Sequence, residues 1–214
     1  MHKPSIGLSL EGIPFVFLTT VATLTFALIG CWVMAVSLLV ILFFVLHFFR
    51  DPERVVPQEP AVAVSPADGK VIKVEIMRDP LTGENRTAVC VFMNVFNVHV
   101  NRSPVAGRIG RIAYFGGKFL NASLDKASED NERNAVLIED ADGCGWTVVQ
   151  IAGLIARRII CWAEEGDSLA RGQRFGLIKF GSRVDLYLPS DYETVVCVGQ
   201  KVFAGQSVLA RKKK

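Results

Sequence analysis

The chain is poor in the side chains that most often carry catalysis. Its 214 residues include three histidines, no Cys-x-x-Cys pair, no short Cys–His motif and no strong phosphate-binding loop. Cysteine is odd in number (Cys31, Cys90, Cys144, Cys161 and Cys197), which argues against a disulfide framework and a zinc site and fits a reducing compartment. The net charge of +3 is too small to suggest a nucleic-acid partner. The longest absence is of charge itself. From Ile13 to Phe49, 37 residues pass without Asp, Glu, Lys or Arg.

One helix over that run would reach about 55 Å, against a hydrocarbon core of about 30 Å. Gly30-Cys31-Trp32 divides it into 13–29 and 33–49, each at the short end of a crossing length. The pattern predicts an N-terminal helical membrane hairpin over 1–50, spanning the bilayer or dipping into it. A cleaved signal peptide does not fit, because no small-residue cleavage site follows the run. Lys3 before it, with Arg50 and Arg54 after it, places both ends on the cytoplasmic side of the cell membrane. The tail Arg211-Lys212-Lys213-Lys214 either touches anionic headgroups or stays solvated and disordered.

Residues 51–60, with Pro52, Pro57 and Pro60, read as a linker. Residues 61–214 form the catalytic domain on this reading. Its apolar runs are short and β-like: 70–76, 87–95, 107–114, 134–138, 147–152, 177–188 and 194–198. The stretch 154–162 fits a short helix or a strand. The fold class expected is mainly β, a barrel-sandwich-like soluble domain behind the hairpin.

Two internal echoes support it. Ser65-Pro66-Ala67-Asp68-Gly69-Lys70-Val71 returns 38 residues later as Ser103-Pro104-Val105-Ala106-Gly107-Arg108-Ile109. Gly166 to Gln173 returns 33 residues later as Gly199 to Gln206, with the turn-and-strand rhythm of lipoyl and biotinyl carrier domains. Within the first echo Asp68 meets Ala106. The turn itself does not require a carboxylate, so Asp68 is a candidate for chemistry; an Asp before Gly is also a common turn former.

His2 is terminal, and His47 ends the apolar run, which leaves His99 as the one histidine of the soluble part. Gly181-Ser182, between two apolar runs, is a turn or a nucleophile site. Asp68, His99 and Ser182 together have the parts of a serine triad: a carboxylate to orient, an imidazole to take a proton, a hydroxyl to attack. With so few other catalytic groups, the pattern also suits a cofactor made from a serine of the chain. A membrane-tethered serine hydrolase and a non-enzymatic lipoyl-like membrane adaptor remain open on these residues. An adaptor of that kind wants a modified lysine at a hairpin tip, and Asp125-Lys126-Ala127 is the nearest match.

Ser-Pro-Ala-Asp-Gly (65–69), Asn-Val-His-Val-Asn-Arg-Ser-Pro (97–104), Asn-Glu-Arg (131–133) and Phe-Gly-Ser (180–182), in this order, resemble phosphatidylserine decarboxylase in its short prokaryotic form. The resemblance implies a pyruvoyl-dependent proenzyme without a metal. His99, oriented by Asp68, would activate Ser182 against the Gly181 carbonyl. Self-cleavage would leave a larger chain 1–181, a smaller chain 182–214 and a pyruvoyl group made from Ser182. The implied reaction converts phosphatidylserine in the membrane to phosphatidylethanolamine. Arg102, Arg133 and Arg183, near the motifs, are candidates for the substrate's carboxylate and phosphate. Residues 121–134, polar and glycine-free, suit a lid. The larger bacterial form carries a second histidine where this chain has Phe96, so that residue's role does not transfer. Acyl specificity and homo-oligomerisation are not legible.

Overall fold

The computed structural model describes residues 7–118, 120–122, 130–153, 158–179 and 182–213. Lys3, the Asp125-Lys126-Ala127 segment, most of the expected lid and Gly181 lie outside them. The chain divides into two compact units, Met1–Glu53 and Arg54–Lys214.

In the first unit the uncharged run forms α1 (Ile13–Leu28) and α2 (Trp32–Phe48). Pro14 sits in the first turn of α1, where its missing N–H is harmless. The hydroxyls of Thr19, Thr20, Thr23 and Thr25 donate at 2.7–2.9 Å to carbonyls four residues back. Ser37 does the same in α2, at 2.8 Å to Val33. The helices thus satisfy their own polar side chains, as an apolar surrounding demands. Leu28, Val33 and Trp32 stand exposed at the turn between them. Leu10–Leu28, 19 residues, is long and apolar enough to cross a membrane, with mean hydropathy 1.6 over an 18-residue stretch. Trp32–Phe48 is shorter, at 17 residues.

The second unit is built of strands, as expected. In chain order they are β1 (Val62–Val64), β2 (Gly69–Arg78), β3 (Asn85–Met93), β4 (Val100–Arg102), β5 (Gly107–Phe115), β6 (Arg133–Glu139) and β7 (Gly145–Ile151). There follow β8 (Arg158–Cys161), β9 (Ser168–Leu169), β10 (Arg174–Lys179), β11 (Ser182–Tyr187), β12 (Tyr192–Thr194), β13 (Lys201–Val202) and β14 (Val208–Lys212). The eight-stranded sheet has the order β13-β2-β3-β11-β7-β6-β5-β9, and two three-stranded sheets have the orders β1-β14-β12 and β4-β10-β8. Among the described residues every pairing between these strands is antiparallel.

That order is a palindrome. Exchanging β1, β2, β3, β11, β12, β13 and β14 for β4, β5, β6, β7, β8, β9 and β10 maps each sheet onto itself or its counterpart. The contacts repeat as well. Ser65 and Ser103 each donate to the carbonyl two residues on, both at 2.7 Å. The Val64 amide reaches the Pro104 carbonyl and the Arg102 amide reaches the Pro66 carbonyl, both at 2.9 Å. Gly69 and Gly107 fill equivalent tight corners: a Cβ on either would run into a partner-strand carbonyl, of Phe92 or Glu139. The echoes in sequence are therefore two copies of one unit facing each other. One copy, 100–179, is inserted whole into the other.

The common core lies between the large sheet and the small ones. It includes Val91, Met93, Val148, Phe175, Val184, Leu186 and Trp146. The Trp146 ring meets Tyr192 edge-on at 4.5 Å, and its N–H donates to Asp140 at 2.9 Å. The basic tail is not a solvated end throughout: Arg211 and Lys212 belong to β14 and pair with Glu59 and Asp142.

Candidate functional site

Ser182 is the first residue of β11, opposite Met93 at the end of β3. It is fully buried, and its hydroxyl has no hydrogen-bond partner among the described residues. A buried, unmatched hydroxyl is costly and rare, so its presence needs a cause; a poised nucleophile is one.

His99 precedes β4 and is also buried. Its Nδ1 lies 2.9 Å from the Asn97 carbonyl. A carbonyl only accepts, so the neutral ring carries its proton on Nδ1 and keeps a lone pair on Nε2. The His99 carbonyl accepts from the Ile178 amide at 3.3 Å, near the end of β10 and four residues before Ser182. The β4–β10 pairing therefore brings His99 to the end of the sandwich from which the chain proceeds to Ser182.

Asp68 lies in the turn between β1 and β2, almost fully buried. One carboxylate oxygen accepts from the Ala204 amide and the other from Arg54 Nη2, both at 2.8 Å. Arg54 also donates to Gln206 at 2.9 Å and lies over the Phe203 ring. The Asp68 turn touches the histidine strand through the Pro66 carbonyl, which accepts from the Arg102 amide.

The three arginines near the motifs have different surroundings. Arg102 is buried and donates to the Gly172 carbonyl at 3.1 Å. Arg183 is 1% exposed and grips Asp185 with two bonds, 2.6 and 2.7 Å. Its Nη2 also reaches Cys90 at 3.2 Å. Because side chains alternate along a strand, Arg183 and Asp185 project from the face opposite to that of Ser182 and Val184. Burial, then Asp185, push the Cys90 thiol well up from its ordinary range. Arg133 is half-buried, with its guanidinium 4.6 Å from the Phe115 ring centre.

The motifs did not single out Gln150, Asn134 or Arg54. Asn101 stood inside a quoted motif without a role. Asn134 donates to Gln150 at 3.0 Å, and Gln150 donates to Asn101 at 2.8 Å. All three amides are buried. A spread of Asn and Gln over three strands gives no local pattern, so only the pairing reveals the chain they form. Among the described residues no cluster of His, Cys, Asp and Glu could hold a metal.

Comparison with known proteins is concordant. The family model for phosphatidylserine decarboxylase matches residues 41–210. A phosphatidylserine decarboxylase proenzyme of Nitratidesulfovibrio vulgaris is 65% identical over 212 residues, covering 99% of this chain and 98% of the relative. Another from Solidesulfovibrio magneticus is 57% identical over 212 residues, 99% of each chain. One from Burkholderia vietnamiensis is 49% identical over 210 residues, 98% of each.

Proposed function

The chain belongs to the phosphatidylserine decarboxylase family of carboxy-lyases, and we propose that it becomes active by converting its own Ser182 into a pyruvoyl group. The single observation that carries this reading is the buried Ser182 hydroxyl at the head of a central strand, without a partner among the described residues. A group made from that side chain fits the position.

In the first stage His99 Nε2 takes the Ser182 Oγ proton, and the oxygen attacks the Gly181 carbonyl carbon. The Gly181–Ser182 C–N bond breaks and an ester replaces it. Removal of the Ser182 Cα proton then expels the Gly181 carboxylate and leaves dehydroalanine at 182. Its imine tautomer takes up one water and releases one ammonia. The chains become 1–181 and 182–214. Asp68 orients the histidine side of the site through the turn that it shares with the Arg102 amide.

The pyruvoyl group supplies the electron sink for loss of CO₂ from phosphatidylserine. His99 moves protons at the reacting carbon, and an Nδ1–H held by the Asn97 carbonyl makes Nε2 the basic atom of the ring. Of the three arginines, Arg133 has solvent access and is the one assigned to the headgroup; Arg102 and Arg183 serve the packing. The apolar hairpin holds the enzyme at the cell membrane, with the catalytic unit on the cytoplasmic side, as Arg50 and the other flanking cations favour.

The denatured intact mass of purified, active protein tests the reading. The expected result is two chains meeting at 181/182, the smaller lighter by one ammonia than a peptide starting with serine. Active protein of one uncut 23.5 kDa chain would overturn it in favour of a hydrolase that keeps Ser182 intact.

A further inference from the structure

The internal symmetry lets one half of the molecule serve as a control for the other. Asn101 pairs with Gly176, as Ala63 pairs with Ala210. Tyr114 pairs with Asn134, as Ile76 pairs with Thr87. Asn134 pairs with Gln150, and the Leu188 amide bonds the Thr87 carbonyl at 2.9 Å. The buried amides Asn101, Asn134 and Gln150 thus stand where the other half has Ala63, Thr87 and Leu188. Ala63 and Leu188 are as buried as their counterparts. The fold therefore packs these positions without Asn101 and Gln150. Burying amides costs free energy unless each is matched by partners, so their presence in one half only calls for another cause.

The amides link the two elements of the site. Asn101 lies two residues after His99, on the strand that begins at Val100. Gln150 pairs with Val184, two residues after Ser182. Steps of two residues along a strand keep to one face. Gln150 therefore shares the face of Ser182, and its bond to Asn101 holds the strand that follows His99 to the serine sheet. Asn101 continues the link, its amide 3.9 Å from the sulfur of Met93, which pairs with Ser182. Room for the link is made by Gly176, where a Cβ would sit 2.7 Å from Gln150 Nε2.

Resting on the self-cleavage reading above, we propose that Gln150, acting through Asn101, is a positioning residue that fixes the approach of His99 to Ser182. The test is Gln150→Leu in the full-length chain, which copies the residue of the other half. The double variant Asn101→Ala/Gln150→Leu copies its packing more fully and serves if the single one misfolds. Self-cleavage is followed by intact mass from pH 5 to 9, and folding by thermal midpoint. Expected is a folded protein that cleaves on the order of 10- to 100-fold more slowly, the scale of an ångström of misplacement. Its rate should also lose the pH inflection that the base gives the wild-type chain. A folded variant with the wild-type rate, or with the wild-type pH inflection, overturns the proposal. A wild-type chain that never cleaves at 181/182, or a Ser182→Ala chain that still does, removes the underlying reading instead.

Discussion

Asp185→Asn should destabilise the protein by about 3–5 kcal/mol, the usual cost of leaving one member of a buried pair alone. The Arg183 side chain is 1% exposed and that of Asp185 is fully buried. Two charges about 4 Å apart at an effective dielectric of about 20 attract by roughly 4 kcal/mol. With Asp185 neutral, the cation keeps only the weak Cys90 sulfur and an amide oxygen. The loss is a large share of a typical total of about 5–15 kcal/mol. Guanidinium unfolding in detergent micelles measures it, in a Ser182→Ala background so that chain separation does not enter the transition. Trp146, buried in the same sheet, gives the fluorescence signal. Arg183→Met/Asp185→Leu removes both charges and should regain most of the loss. A loss for Asp185→Asn below about 1 kcal/mol, or a double variant no better than the single one, would refute this account of Arg183 as a packed residue.

Three further outcomes are expected. His99→Ala and Asp68→Asn should both accumulate uncut chain by intact mass, His99→Ala the more completely; normal cutting in both removes them from the first stage. In the folded protein Cys90 should resist alkylation between pH 7 and 9, because burial raises its thiol and disfavours the thiolate, while exposed Cys197 reacts; mass-mapped labelling that favours Cys90 would contradict the packing. Val40→Lys, exposed on α2, should weaken retention on anionic vesicles by about 2.5–3.5 kcal/mol if that residue lies at bilayer depth; unchanged co-sedimentation would count against insertion.

The mainly β character was legible because short alternating runs between Gly, Pro and Asp have few other readings. The echoes were legible too, since turns keep their glycines. Their meaning was not: the strands between them have diverged, and an inserted copy leaves no boundary in composition. The β-run 177–188, with Gly181-Ser182 inside it, supplies β10 to a small sheet and β11 to the large one. Gly181-Ser182 could be read as a turn, but nothing in the sequence says that the two sides join different sheets. Arg183 illustrates a second limit. Nearness to Ser182 along the chain says nothing of the face on which it lies, and only the pairing of β11 with β3 and β7 shows that. The Asn101–Gln150–Asn134 link was beyond reach for the same reason, as it spans 49 residues in sequence between two of its members.

The seam between the two copies has a kinetic consequence. A cut between 181 and 182 falls where the inserted copy ends and the host copy resumes. The shorter product would then be threaded through the longer one: β11 between β3 and β7, β13 on the edge of β2, and β14 against β1. New chain ends ordinarily fray, yet this one would begin inside a ladder bonded on both sides. The two pieces could not exchange with those of another molecule without dismantling the large sheet and one of the small ones. The fragment carrying the reactive terminus would therefore leave only as fast as the whole unit unfolds, so that an enzyme in two pieces would age as if it were still one.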